Sequence, residues 1–112
     1  MKSLTKLEMV MKLFINEHYK ITANMITIFC YIAARSDEII ITRDLPEVFS
    51  LPQTTVNRII NTMADHSYCR EEGFQWLRQT VDPRDERQRI VEVTAKGREL
   101  AIKINKIMER DH

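Results

Sequence analysis

In "LPQTTVNRIINTM", residues 51 to 63, Thr54, Asn57, Arg58 and Asn61 recur at helical spacing, flanked by Gln53 and Thr55. Val56, Ile59, Ile60 and Met63 form the opposite face. The polar set suits the edges of base pairs. Arginine matches guanine with two hydrogen bonds, asparagine or glutamine matches adenine, and threonine reaches a thymine methyl or a phosphate. The alternative is a solvated helix face, since most of these residues carry no charge. A second cluster lies in "DPRDERQRIVEVTAKG", residues 82 to 97, with Arg84, Arg87 and Arg89 among Asp82, Asp85 and Glu86. Asp85, two residues before Arg87, is placed to hold a guanidinium by charge-assisted hydrogen bonds. An arginine so held at a hairpin tip suits the narrow minor groove of A·T-rich DNA. The alternative is a loop whose charges neutralise each other.

The elements that must position these clusters follow from periodicity and breakers. Leu4, Leu7, Val10, Met11 and Phe14 predict a helix over 4–17, with Ser3 as its cap. Met9, Leu13 and Ile15 broaden its apolar face. A second helix starts after Thr22 and runs to about Arg35 through Met25, Ile28, Phe29 and Ile32. "EIII", 38–41, reads as an isolated strand, and Pro46 restricts a helix over 43–49 to a short element. Ser50 and Gln53 have capping-box spacing with Pro52 in the first turn, which predicts a helix over 51–66. "FQWLRQTV", 74–81, and "QRIVEVT", 88–94, pair as a hairpin with Val91 and Val93 facing the core. A last helix over 95–110 carries Leu100, Ala101, Ile104, Ile107 and Met108 in a seam. The expected fold class is mainly α with a small β-hairpin (α+β). It is a single domain over 1–112, with a helix-turn-helix at about 43–66 and a wing at about 74–94.

From about Ile21 to Leu100 this order of elements resembles the MarR-type winged helix-turn-helix transcriptional regulators. "LPQTTVNRII" resembles the start of that family's recognition helix. "DPRDERQRIVEVTAKG" resembles its wing signature, with Asp85 and Arg87 on the Asp-x-Arg and Val93, Thr94 and Gly97 on the strand end that follows. The resemblance implies a homodimer that binds a palindromic double-stranded DNA operator, usually as a repressor and often released by a small-molecule effector. On it, Gln53, Thr54, Thr55, Asn57, Arg58 and Asn61 would meet the major groove. Arg87, oriented by Asp85 and helped by Arg84 or Arg89, would meet the minor groove or phosphates. Three departures stand out. Glu86 occupies a position where the family often has a second arginine, "DHSYCREEGFQ" (65–75) replaces a short turn, and the chain stops about one helix early. Dimerisation then falls to helices at about 3–18 and 95–110, through Leu4, Leu7, Met11, Phe14, Leu100, Ile104, Ile107 and Met108. An effector pocket would be small or absent.

Bulk composition bounds the alternatives. A chain of 112 residues with 44% hydrophobic and 29% charged residues has globular values. Only 2 Gly and 3 Pro argue against a turn-rich all-β fold. The net charge of +1 implies no acidic partner by itself, but residues 78–110 carry nine Lys or Arg against six acids, a local +3. Cys30 and Cys69 lack any CxxC companion and no secretion signal is legible, which suggests a reducing, cytoplasmic setting. Cys30 reads as a packed core thiol and Cys69, beside Arg70, as the more exposed one. His18, His66 and His112 are dispersed, so no metal site or cofactor is expected, and no phosphate loop or nucleophile elbow points to an enzyme. The same fold could instead serve as a protein-interaction module or a replicon accessory protein.

Overall fold

The structure, a computed structural model, describes residues 1–64 and 73–110. His66, Cys69, His112 and most of the 65–75 insertion lie outside the described residues. Along the chain run α1 (Lys2–Glu17), α2 (Ala23–Ala34), β1 (Ile40–Ile41), a 3-10 turn (Thr42–Asp44), α3 (Leu45–Phe49), α4 (Gln53–Met63), β2 (Leu77–Asp82), β3 (Asp85–Val93) and α5 (Ala95–Met108). The fold is a winged helix, mainly α with one small antiparallel sheet.

Three element ends differ from the sequence expectation. Ser3 caps nothing, because α1 begins at Lys2 with Met1 in the cap position and no side-chain cap bond. Ser50 does not open α4 but closes α3, in the left-handed conformation (φ 53°, ψ 44°). Leu51 N donates to Pro46 O at 3.0 Å across that turn, so the chain reverses there. Pro52 then takes the cap position and α4 begins at Gln53, without a capping box. Thr22 does cap α2, accepting from Met25 N at 3.2 Å. β1 is not isolated. It pairs antiparallel with β3, Ile40 opposite Val91, so the sheet order is β1-β3-β2.

The core gathers around Trp76, which is 1% exposed just before β2. Its ring meets Phe14 and Phe29 at centroid separations of 5.9 and 5.5 Å, tying α1 and α2 to the base of the wing. Val56, Ile59, Ile60 and Met63 bury one face of α4 against the same cluster, and Val91 enters it from β3, with Val93 half-buried beside it. Cys30 is not in this core. It is exposed, because α2 buries Ile28, Phe29 and Ile32 and residue 30 points elsewhere.

Two close backbone approaches hold the wing to the helices. Thr94 caps α5 by accepting from Gly97 N at 3.0 Å, and its hydroxyl donates to Gln75 O at 2.5 Å. A Cβ on Gly97 would lie 2.2 Å from Trp76 O, so the backbones meet only because glycine stands there. On the β2 side of the wing's base, a Cβ on Gly73 would lie 2.0 Å from Ala64 O. Phe74 N and Trp76 N donate to Thr62 O and Met63 O, at 2.9 and 3.0 Å, and so clamp the end of α4 to the entry of the wing.

Candidate nucleic-acid interface

With its apolar face sealed, α4 presents Gln53, Thr54, Asn57 and Arg58 to solvent, while Thr55 and Asn61 are half-buried. Gln53 Nε2 donates to Asn57 Oδ1 at 2.8 Å, which lines up two amides one turn apart. The Arg58 side chain makes no ion pair among the described residues. Asn61 has a different role. Its Oδ1 accepts from Gln79 Nε2 at 2.9 Å, and Thr42 Oγ1 donates to Gln79 Oε1 at 3.3 Å, so the 3-10 turn, α4 and β2 are linked side chain to side chain.

The hairpin turns over Pro83 and Arg84, with Asp82 opposite Asp85 in the register. Each aspartate grips the arginine two residues on. Asp82, 0% exposed, receives Arg84 N at 2.9 Å and both Nε and Nη2 of its guanidinium at 3.1 Å. Asp85 receives Arg87 N and Nε at 3.1 Å and Nη2 at 3.5 Å. The arginine hydrogen bonds hold both carboxyls below the usual carboxylate range, against the desolvation that opposes them. The Arg87 side chain remains 88% exposed, so Asp85 aims the guanidinium without covering it. The Asp82–Arg84 pair escaped sequence reasoning, although the run Asp-Pro-Arg-Asp-Glu-Arg repeats the Asp-x-Arg spacing.

Arg43 was also missed. Its Nη2 donates to Gln88 Oε1, and Gln88 Nε2 reaches Asp82 Oδ2 at 3.4 Å. No local pattern announces this contact, since Arg43 and Gln88 are 45 positions apart. Between α4 and the wing lies an open cleft of about 370 Å³, walled by Gln53, Asn57 and Asn61 on one side and Gln79, Arg87 and Arg89 on the other. Thus Gln53, Asn57 and Asn61 of α4 share one concavity with Arg87 and Arg89 of β3, while Thr54, Thr55 and Arg58 lie outside its lining and Arg84 stands at the tip beyond it.

The expected dimerisation residues divide. Phe14 and Leu100 are core residues of the chain itself, and Met11, Ile104 and Ile107 are half-buried. Leu4, Leu7 and Met108 remain 59%, 46% and 47% exposed. α1 and α5 pack together, with Lys6 Nζ donating to Met108 O at 3.0 Å. A second concavity, of about 690 Å³, opens between α2 and α5 against Phe29, Cys30, Ala33, Ala101 and Ile104. Local desolvation of its sulfur pushes the Cys30 thiol above the ordinary value, although the residue as a whole is exposed. Among the described residues no group of three metal-ligating side chains gathers, and no helix is long and apolar enough to cross a membrane.

No family model and no curated protein matches the chain. Solved structures do. The MepR–DNA complex of S. aureus aligns with a TM-score of 0.67 at 18% identity, over 96% of this chain and 73% of that one. A MarR mutant from E. coli complexed with operator DNA aligns at 0.67 and 18%, over 99% and 71%. The apo form of wild-type E. coli MarR aligns at 0.64 and 19%, over 99% and 73%. The chain therefore has the fold of the MarR-type winged-helix proteins.

Proposed function

We propose that this chain is a sequence-specific double-stranded DNA-binding transcriptional regulator of the MarR type, acting as a repressor and as a homodimer on a palindromic operator. The observation that carries the reading is the shared concavity. Gln53, Asn57 and Asn61 of α4 and the aspartate-aimed Arg87 of the wing line one cleft, which supports a helix placed in a major groove with the wing at the neighbouring minor groove. Gln53, Thr54, Thr55, Asn57 and Arg58 would read base edges in the major groove, with Asn61 setting the helix against the wing. Arg87 would enter the minor groove, with Arg84 and Arg89 beside it on phosphates. The likeness to MepR and MarR structures solved with DNA, and to one described as a multiple antibiotic resistance repressor, supports the same reading. The exposed Leu4, Leu7 and Met108 on adjoining ends of α1 and α5 favour a two-fold partner, since an isologous contact covers such a patch in both copies at once.

Selection of bound duplexes from a random pool, with the mass of the complex measured, tests this function. The expected outcome is an enriched palindromic motif bound by two copies of the chain. Salt-sensitive binding with no enriched motif would overturn it in favour of a protein-interaction role.

A further inference from the structure

Arg43 stands exposed within the 3-10 turn that opens the helix-turn-helix, and it lines the same cleft as Gln53 and Asn57 of α4 and Arg87 and Arg89 of β3. Its position is built. Gln88 accepts its Nη2 with one end of the amide and donates to Asp82 with the other, and Asp82 in turn receives the Arg84 guanidinium. A continuous polar chain therefore runs from the first turn of the helix-turn-helix to the tip of the wing. Arg43 itself stays exposed, with Gln88 as the hydrogen-bond partner of its guanidinium among the described residues. Beside it, Thr42 is tied through Gln79 to Asn61, so the residue preceding Arg43 moves with α4.

A duplex that takes α4 in its major groove and the wing in the adjacent minor groove has one sugar–phosphate strand separating the two grooves. That strand has only one place to lie, across the cleft between α4 and the hairpin. Its phosphates each bring a negative charge and oxygens that accept from a planar guanidinium. Arg89 lines the cleft from β3 and Arg43 lines it from the 3-10 turn, so a strand lying there would pass both guanidinium-bearing side chains.

Resting on the DNA-binding reading above, we propose that the cleft seats a single phosphodiester strand and that Arg43, held by Gln88, is its central phosphate-binding residue. The contact is independent of base identity, so it adds affinity and fixes register without choosing the sequence.

The test uses the full chain, a duplex enriched from the random pool, and a scrambled duplex, titrated at several salt concentrations. Arg43→Ala should reduce the slope of log affinity against log salt by about one and weaken both duplexes by the same factor. The enriched motif should not change, and Arg43→Lys should keep the slope. Neutral methylphosphonate placed at each phosphate in turn should find one position that weakens binding by the unmodified protein and not by Arg43→Ala. An unchanged slope in Arg43→Ala, or no methylphosphonate position whose effect depends on Arg43, overturns the assignment while leaving the enriched motif, and so the regulator reading, intact. Failure of the unmodified protein to enrich any duplex overturns the regulator reading itself. Tighter binding of single-stranded RNA than of duplex DNA overturns both.

Discussion

On α4, Asn57 and Arg58 stand on a helix whose other side, Val56, Ile59, Ile60 and Met63, is sealed in the core. On the wing, Arg84 and Arg87 stand at or next to a two-residue turn, and each is gripped by the aspartate two positions earlier. The same kind of side chain is thus presented in two ways. Burial holds the helix in place and leaves Thr54, Asn57 and Arg58 exposed, with the Gln53–Asn57 amide pair linking side chains along the helix. Charge pairing makes the wing rigid and commits part of each guanidinium before any ligand arrives. It follows that the helix depends on packing, while the wing depends on ionisation.

The sharpest way to break that contrast is to remove packing beneath α4. Ile60 is 0% exposed, and Ile60→Ala should cost about 2–5 kcal/mol of folding stability, read by denaturant unfolding. A cost near zero would mean that α4 is not held by its buried face. Next in size is the division of labour in DNA binding. Arg58→Ala should cost about 1–3 kcal/mol on the enriched duplex and change which bases are preferred at one position. Arg87→Ala should instead weaken all duplexes alike and lower the salt slope by about one. A wing variant that changes base preference, or a helix variant that changes only the slope, would reverse these two roles.

The smallest expected effect concerns the base of the wing, where ionisation works against packing. His18, at the end of α1, stacks on Phe74 with ring centroids 3.6 Å apart and planes 7° from parallel. Desolvation there, and then the nearby Lys96 charge, lower its pKa. A histidine depressed in the folded chain takes up its proton more readily when unfolded. Its stabilising contribution is therefore present above the ordinary histidine range and lost as the pH falls through it. Unfolding at pH 7 and pH 5 should find a smaller loss in His18→Gln than in the unmodified chain. The depressed Asp82 and Asp85 act in a separate window, because their contribution is present above the ordinary carboxylate range and is lost as the pH falls below it. Equal losses from pH 7 to 5 in both proteins would remove His18 from the account.

Much of the candidate site was legible because its contacts are short in sequence. Asp85 to Arg87 spans two positions and Thr94 to Gly97 spans three, so a linear pattern carries both. The buried face of α4 was legible for the same reason, as periodicity within one helix. Errors arose where a local pattern served two elements. "SLPQ" has the spacing of a capping box, yet the chain must reverse between α3 and α4, and the left-handed Ser50 does that before Pro52 begins the next helix. Cys30 was misplaced because its sequence neighbours, Phe29 and Ile32, are buried while residue 30 lies on another side of α2.

The sequence by itself determined the order of elements, the polar and apolar faces of α4 and the aspartate-aimed arginine of the wing. Each of these depends on residues a few positions apart, whose geometry the local backbone sets. Only the tertiary structure decided that Asn61 faces the wing through Gln79, that Asp82 is buried beneath the turn, and that Arg43 and Gln88 meet across 45 residues of chain. It also moved Phe14 and Leu100 from an expected surface seam into the core around Trp76. Those outcomes depend on how the sheet and helices close on one another. The packing of the closed core sets that geometry, and no short stretch of sequence encodes it.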